Sequence, residues 1–369
     1  MRPMPGKPLK PYTPLDHLCP FFTRFPLSFP LNILENTYPP KRVFDPFCGC
    51  GTTLLAASVT GHFVSGMDIH PVACAVSRAK LASATAEEVI AKAEQILETT
   101  PVNTQNKQNG FWNLCFHSSV YEGLLRLRER YLQGNLDQAE ARLYGIVLGI
   151  LHGPLQKSKY LSNDMPATFA PPQDLLSAHW QARGSKPPPY SLQRLIAEKA
   201  RQLPILDAAS GSGVVQENSF LRAEAPAAEN KFDLIITSPP YYGLPNKNCG
   251  LWLRSWLLGD DEASASQSQE LHHQSLTDYI NDLGEVWKKA ASFCRPGASL
   301  YLHFGKVHGS GAYSSLDVLH ESVKRASTGW TVRSIDAVKT AAKFMARRNF
   351  ASPSPPPEDE WRIQMLLNN

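Results

Sequence analysis

Residues Thr237-Ser238-Pro239-Pro240-Tyr241-Tyr242 lie directly behind the apolar run Phe232-Asp233-Leu234-Ile235-Ile236, and they are the part of the chain best suited to do chemistry. Each proline fixes φ and removes a backbone donor, so a strand ending in this hexapeptide presents a rigid edge made mostly of acceptors. An amino group on a nucleobase has two N–H bonds to give. The Ser238 hydroxyl and a nearby prolyl carbonyl can receive both, which leaves the nitrogen lone pair aimed at a methyl donor. Tyr241 then offers a flat face on which the base stacks. Taken alone, the same residues are also readable as an ordinary proline-rich turn after a strand.

A second stretch narrows the choice. Val43-Phe44-Asp45-Pro46-Phe47-Cys48-Gly49-Cys50-Gly51-Thr52-Thr53-Leu54-Leu55-Ala56-Ala57 reads as a strand that stops at a glycine-rich turn and runs into a helix. Gly49 and Gly51 permit a tight backbone path close to a ligand, and the amides of a helix N-terminus favour a carboxylate or phosphate there. No third glycine completes a dinucleotide fingerprint, and no phosphate-loop lysine follows, so neither a nicotinamide nucleotide nor a nucleoside triphosphate is supported. Gly61 to Asp68 reads as a second strand ending in an acid, placed to accept hydrogen bonds from ribose hydroxyls. Its alternative role is to cap the helix that starts near Pro71. Together the two strand ends describe an adenosine site.

These pieces resemble the S-adenosylmethionine-dependent amino-methyltransferases, in particular the DNA methylases of restriction-modification type that modify cytosine N4 or adenine N6. Asp45-Pro46-Phe47-Cys48-Gly49-Cys50-Gly51-Thr52 is similar to that family's cofactor loop, Asp68 to its ribose-binding acid, and Ser238-Pro239-Pro240-Tyr241 to its catalytic motif. The serine form of this motif is the one typical of cytosine-N4 enzymes. His17 to Pro26 resembles the segment that closes over the methionine end of the cofactor, and Leu161 to Pro166 and Trp252 to Trp256 resemble stretches of one bacterial branch.

The resemblance implies S-adenosylmethionine as cofactor, held by Asp45, Phe47, Gly49, Gly51, Thr52, Asp68, Asn218 and Arg24. It implies Ser238, Pro239, Pro240 and Tyr241 as catalytic residues, double-stranded DNA as partner, and a cognate restriction nuclease as a second one. The implied activity is site-specific methylation of a flipped base, at cytosine N4. Adenine-N6 methylation, an RNA amino-methyltransferase and an inactive nucleic-acid-binding relative stay open beside it. The chain departs from the family where a Gly-Asp pair normally reads the cofactor adenine, since Glu217-Asn218-Ser219 stands there instead. Leu244 to Gly250 is also less regular than the related bacterial stretch.

Composition agrees with this reading. The 369 residues carry 37 Lys and Arg against 33 Asp and Glu, a formal charge of +4, which suits basic residues gathered in one cleft but is far from a chromatin-like excess. The 7 cysteines include no repeated pair spacing, which argues for reduced thiols and against zinc. No apolar run is long enough to span a membrane, and the first residues lack an apolar signal core, so a cytoplasmic chain with no metal and no membrane partner is expected.

The elements that must position these motifs follow from periodicity. The expected fold is α/β, a doubly wound, mostly parallel sheet with an inserted helical or irregular recognition region. Residues 1–15 read as a proline-rich extension, 16–100 as the cofactor-binding half, 101–204 as the insertion, 205–350 as the catalytic half and 351–369 as a C-terminal tail. Helices are expected over 71–98, 121–131, 139–151, 277–293 and 316–325, with strands at 299–304 and 330–335. Residues 153–204 lose clear periodicity and mix Lys157, Lys159, Arg183, Lys186 and Arg194 with Tyr160, Phe169, Trp180 and Tyr190, which marks them for target recognition or for a structural insertion covering the sheet. Asp207 to Gly213 imitates a second cofactor loop but lacks a following helical pattern, and reads as a turn. Arg126, Arg128 and Arg130 are candidates for phosphate contact or for a solvated helix face, as are Lys343, Arg347 and Arg348.

Overall fold

A computed structural model describes residues 10–21, 24–102, 110–156, 159–206, 213–242, 250–260, 271, 275–305, 313–338 and 360–368. Seven strands form one sheet: β1 (Arg42–Asp45), β2 (Phe63–Asp68), β3 (Gly213–Glu217), β4 (Phe232–Thr237), β5 (Cys294–Gly305), β6 (Trp330–Val338) and β7 (Glu360–Leu367). Their order is β3-β2-β1-β4-β5-β7-β6. β1 to β5 pair with one another in parallel, and β7 runs antiparallel between β5 and β6. The doubly wound, mostly parallel sheet expected from the sequence is therefore present.

The central strands are apolar throughout because both faces of the sheet are covered, and alternate residues serve opposite faces. Val43, Leu234 and Ile236 pack with Leu15, Leu54 and Leu55, while Phe44 and Ile235 pack on the other side with Trp287 and Leu300. The first face carries α1 (Thr13–Asp16), α2 (Ser28–Leu34) and α3 (Thr52–Val59). After β2 come α4 (Pro71–Leu81) and α5 (Ala86–Thr99), then α6 (Gly110–Cys115), α7 (Ser118–Leu132), α8 (Gln138–Ile150), α9 (Gln173–Arg183) and α10 (Leu192–Ala200). These share one apolar cluster with α11 (Trp252–Leu257). The second face is closed by α12 (Leu276–Phe293) and α13 (Ser315–Ala326), and α12 buries Tyr279, Ile280, Leu283, Val286 and Trp287 as its periodicity requires.

Four elements differ from the sequence reading. Within residues 153–204 the chain forms α9 and α10, and α10 buries Leu192, Leu195, Ile196 and Ala200 on one stripe behind the Ser191 cap. Residues 360–367, assigned to a tail, form β7, whose Ile363, Met365 and Leu367 are buried in alternation. β3 is exposed along most of its length, as an edge strand with one neighbour can be, and carries no apolar alternation to announce it. The turn read at Asp207 to Gly213 lies, up to residue 212, outside the described residues, as do Lys157, Lys343, Arg347 and Arg348.

The Leu161 to Pro166 stretch is a structural pin. Asn163 is fully buried; its Nδ2 donates to Leu114 O at 3.0 Å and Ser185 O at 3.2 Å, and its Oδ1 accepts from Ser185 Oγ at 2.6 Å. The next segment is clipped to α11, where Arg254 Nη2 donates to Ala167 O at 2.8 Å and Trp252 Nε1 to Ala170 O at 3.0 Å. Among the described residues no helix is long and apolar enough to cross a membrane.

Candidate active site

The strand order reverses between β1 and β4, and open α/β sheets bind ligands in the crevice beyond the carboxyl ends of the strands at such a point. Both motifs singled out in the sequence end there. β1 delivers Asp45, and β4 delivers Thr237 followed by Ser238, Pro239, Pro240 and Tyr241. Thr237 Oγ1 donates to Asp45 Oδ1 at 2.6 Å, which ties one motif to the other.

The glycine turn is built by bonds from three elements. Gly49 and Gly51 take φ of 50° and 77°, the left-handed region that side chains rarely enter. Ser77 on α4 donates to Gly49 O at 2.8 Å, and Gly51 N donates to Cys48 O at 2.8 Å. A Cβ on Gly51 would lie 2.7 Å from Ser77 Oγ, so α4 can reach the turn only because Gly51 has none. Gly51 is the N-cap of α3, and Thr52 opens that helix, buried beside Cys50.

Asp68 ends β2 and holds the same turn from the side. Its Oδ2 accepts from Gly49 N at 2.9 Å and its Oδ1 from His70 N at 2.9 Å. The cap of α4 is His70, whose Nδ1 accepts from Val72 N at 3.2 Å, so capping is not the task of Asp68. A carboxylate is an acceptor of the kind that receives ribose hydroxyls. Asn218 follows β3, and its N donates to Asp68 O at 3.0 Å while its Oδ1 accepts from Ser219 N at 2.8 Å. Phe47 is partly exposed, with its ring edge-to-face on Phe220 at 6.0 Å.

Asp45 is buried, and that burial pushes its carboxyl up to about 6 despite the bonds from Thr237 and the Phe47 amide. Its Oδ1 is used by Thr237 and Phe47, whereas Oδ2 has no hydrogen-bond partner. A buried carboxylate oxygen of this kind fits a positively charged donor.

On the catalytic side, Tyr241 is partly exposed and its ring stands edge-to-face on Phe304 at 5.8 Å. Its hydroxyl turns inward, donating to His303 O at 3.0 Å and meeting Ser238 Oγ at 2.8 Å. Tyr279 of α12 donates to Pro240 O at 2.7 Å, so Pro239 has the prolyl carbonyl with no such partner among the described residues. His303 is buried against Phe25 and Phe29, and burial lowers its imidazole to about 4.

The structure thus brings together Asp45, Phe47, Gly49, Gly51, Thr52, Asp68 and Asn218 at the ends of β1 to β3, with Ser238 to Tyr241 beside them. Arg24 is committed elsewhere, donating to Asp16 O and pairing with Asp16 Oδ2, both at 2.8 Å, next to the buried Lys80. Sequence reasoning does not single out Thr237, Ser77 or Tyr279 as site residues. Thr237 opens the hexapeptide and was within reach; the other two come from helices whose spacing carries no sign of the contact.

The basic candidates divide differently from either expectation. Arg126 pairs with Glu122 and donates to Thr100 O, Arg128 donates to Gly259 O over the ring of Trp256, and Arg130 forms a two-pronged pair with Glu140. All three brace the helical layer. Lys159 and Arg194 share Glu198. Among the described residues no group of three or more His, Cys, Asp or Glu side chains could hold a metal ion. Cys19, Cys48, Cys50, Cys74, Cys115 and Cys294 are all free and buried, and burial drives the Cys48 thiol far above the range in which it reacts.

No family model and no curated protein matches the chain. Among solved structures it is similar to an S-adenosylmethionine-dependent methyltransferase from Methanosarcina mazei, at 9% identity over 94% of this chain and 99% of that one, with a TM-score of 0.37. It is also similar to magnesium protoporphyrin IX methyltransferase from Synechocystis PCC 6803, at 8% identity over 93% and 78% of the two chains, TM-score 0.34. The rRNA methyltransferase aviRa from Streptomyces viridochromogenes gives 10% identity over 94% and 87%, TM-score 0.33. Likenesses at these identities and TM-scores carry no argument about function, which rests on the site's own residues.

Proposed function

We propose that the chain is an S-adenosylmethionine-dependent methyltransferase that modifies an exocyclic amine of a base in double-stranded DNA, cytosine N4 in the first place. The observation that carries the reading is the Thr237–Asp45 bond, which sets an acceptor-rich edge beside a glycine turn flanked by two acids.

The residues present fit the cofactor. Asp68 is a carboxylate acceptor at the end of β2, of the kind that receives ribose hydroxyls, and the unpartnered Oδ2 of Asp45 suits the ammonium of the methionyl group. Gly49 and Gly51 allow close backbone approach. When bound, S-adenosylmethionine supplies an electrophilic methyl group on a sulfonium.

The chain's own residues do the rest. Ser238 Oγ and Pro239 O accept the two N–H bonds of the amine and turn its lone pair outward, and Tyr241 places the base by its ring edge. The base reaches this edge flipped from the duplex, because its amine is otherwise enclosed in the stack. No cysteine nucleophile is needed, since an exocyclic nitrogen aligned here would take the methyl group directly, the carbon–sulfur bond breaking as the nitrogen–carbon bond forms and the sulfur leaving as a neutral thioether. The proton of the nitrogen then leaves to solvent.

The test is incubation of purified protein with methyl-labelled S-adenosylmethionine and, separately, duplex DNA and bulk RNA, followed by mass analysis of the labelled nucleosides. N4-methylcytosine in DNA is the expected product. N6-methyladenine would move the target to the other base, and label in RNA alone would replace the DNA substrate. Cofactor binding without label in either polymer would overturn the reading in favour of an inactive relative.

A further inference from the structure

A phenol has one proton, and the Tyr241 proton is already placed: it goes to the carbonyl of His303, which can only accept, over 3.0 Å. The contact between Tyr241 Oη and Ser238 Oγ, 2.8 Å long, then needs its proton from the serine. Ser238 has given away its only donor and faces the site with lone pairs alone.

We propose that the Tyr241 hydroxyl is a specificity-determining group that fixes Ser238 as a pure hydrogen-bond acceptor, so that this edge selects a base carrying an amino group over the same base carrying an oxo group. The inference rests on the methyltransferase reading above and deepens it, because it assigns the discrimination between amine and carbonyl to a hydroxyl that a stacking role leaves idle.

The surroundings keep the relay in one polarity. His303 lies in the middle of the sheet, paired with Arg362 on β7, while its neighbour Leu302 pairs with Thr237 on β4, so its carbonyl cannot swing away. Its imidazole is wedged between Phe25 and Phe29, at ring distances of 5.7 Å and 5.4 Å. Tyr241 is itself held by Phe304, and the loop behind it by the Tyr279 bond to Pro240 O. Burial also raises the Tyr241 phenol well above its ordinary value, so the proton that starts the relay is present at every working pH.

An incoming amine meets lone pairs with N–H bonds. An oxo group meets them with lone pairs of its own, and the Ser238 oxygen is left without a partner inside the site. One such mismatch corresponds to a discrimination of about tenfold to a hundredfold. A serine free to rotate would accept from an amine or donate to an oxo group with little preference, as hydroxyls do.

The experiment is isothermal titration of protein saturated with S-adenosylhomocysteine, using two pairs of nucleotides: deoxycytidine against deoxyuridine monophosphate, and deoxyadenosine against deoxyinosine monophosphate. Wild-type protein is expected to prefer the amino member of at least one pair by about tenfold or more. Tyr241→Phe keeps the ring, frees the Ser238 proton, and should lower that preference several-fold, leaving the share that the Pro239 carbonyl, an acceptor in every variant, contributes. Ser238→Asp combined with Tyr241→Phe should restore it, since a carboxylate accepts whatever stands at 241. Wild-type preference that survives Tyr241→Phe undiminished, or that Ser238→Asp fails to restore, would overturn the inference and leave the methyltransferase reading standing. Absence of any amino preference in the wild-type protein would instead remove the reading on which it rests. Should Tyr241→Phe fold poorly, Ser238→Ala on its own must lower the preference several-fold, and a preference unchanged there would overturn the inference equally.

Discussion

Thr237 donates its hydroxyl proton to Asp45 Oδ1 over 2.6 Å, between residues 192 positions apart and both buried. Asp45 closes the strand that leads into the glycine turn, and Thr237 closes the strand that leads into Ser238. One hydrogen bond therefore ties the two halves of the proposed site together at the end of the β1–β4 pairing. A bond to a buried carboxylate contributes about 1.5 to 3 kcal/mol.

Thr237→Val keeps the shape of the side chain and removes that donor. We expect a loss of about 2 kcal/mol in urea unfolding and weaker cofactor binding by titration calorimetry, because Asp45 becomes harder to ionise. Thr237→Ser retains the hydroxyl and should recover most of both. Equal losses in the two variants would mean that packing of the methyl group, and not the bond, is what counts.

Asp45 also gives the protein a pH signature. Its folded value of about 6 lies above the ordinary 3.8, so the folded state holds the proton more tightly than the unfolded one. The group's contribution is fully present below the unfolded value and is lost as pH rises through the folded one, a change of roughly 3 kcal/mol. Unliganded protein should accordingly lose this increment as pH rises from about 4 to about 6, and Asp45→Asn should flatten the profile. An ammonium beside Oδ2 pulls the other way, favouring the ionised form. Cofactor affinity should then climb between about pH 5 and about pH 7 with release of protons, which calorimetry in buffers of different ionisation enthalpy measures directly. A flat affinity profile in wild-type protein would show that no cation sits against Asp45.

Two glycines separate backbone strain from contact. Gly51 has φ of 77° and a virtual Cβ 2.7 Å from Ser77 Oγ, whereas Gly61 has φ of 80° and nothing within 4 Å. Gly61→Ala should cost about 1 to 2 kcal/mol, the left-handed term alone. Gly51→Ala carries the same term plus displacement of α4 from the turn, so its loss of stability should exceed that of Gly61→Ala by about 2 kcal/mol, with cofactor binding reduced. Matching losses in thermal unfolding would argue that α4 yields freely and that the turn is not clamped.

Much of this was legible before any coordinates. Val43-Phe44 and Leu234-Ile235-Ile236 read as strands because both faces of the sheet are covered, and the turn chemistry after each is local in sequence. What escaped was non-local or faint. No spacing encodes the contact of Thr237 with Asp45 or of Ser77 with Gly49. β3 is an exposed edge with no alternation, and α10 buries its stripe in fewer than three turns between prolines and a turn. For β7 the signal existed in Ile363, Met365 and Leu367, yet an antiparallel strand arriving from the far end of the chain between β5 and β6 is a property of topology, which single-strand patterns do not carry. Arg24 shows the converse: a plausible charge beside the proposed cofactor segment that the fold gives to Asp16.

The two sides of the site should separate under mutation. Asp68 holds the turn through Gly49 N and His70 N, both at 2.9 Å. Asp68→Ala should therefore raise the cofactor dissociation constant by about tenfold to a hundredfold while turnover at saturating cofactor stays within a few-fold. Tyr241→Ala removes the ring that places the base and the hydroxyl that orders Ser238, but leaves Asp45 and Asp68 untouched. Its single-turnover rate should fall by about a hundredfold or more with cofactor affinity nearly unchanged. Calorimetry with S-adenosylhomocysteine reads the first quantity and labelled methyl transfer the second. If both substitutions lowered both quantities alike, the two strand ends would be acting as one structural unit, and the division into a cofactor side and a base side would fail, since only interactions confined to one ligand can be lost one ligand at a time.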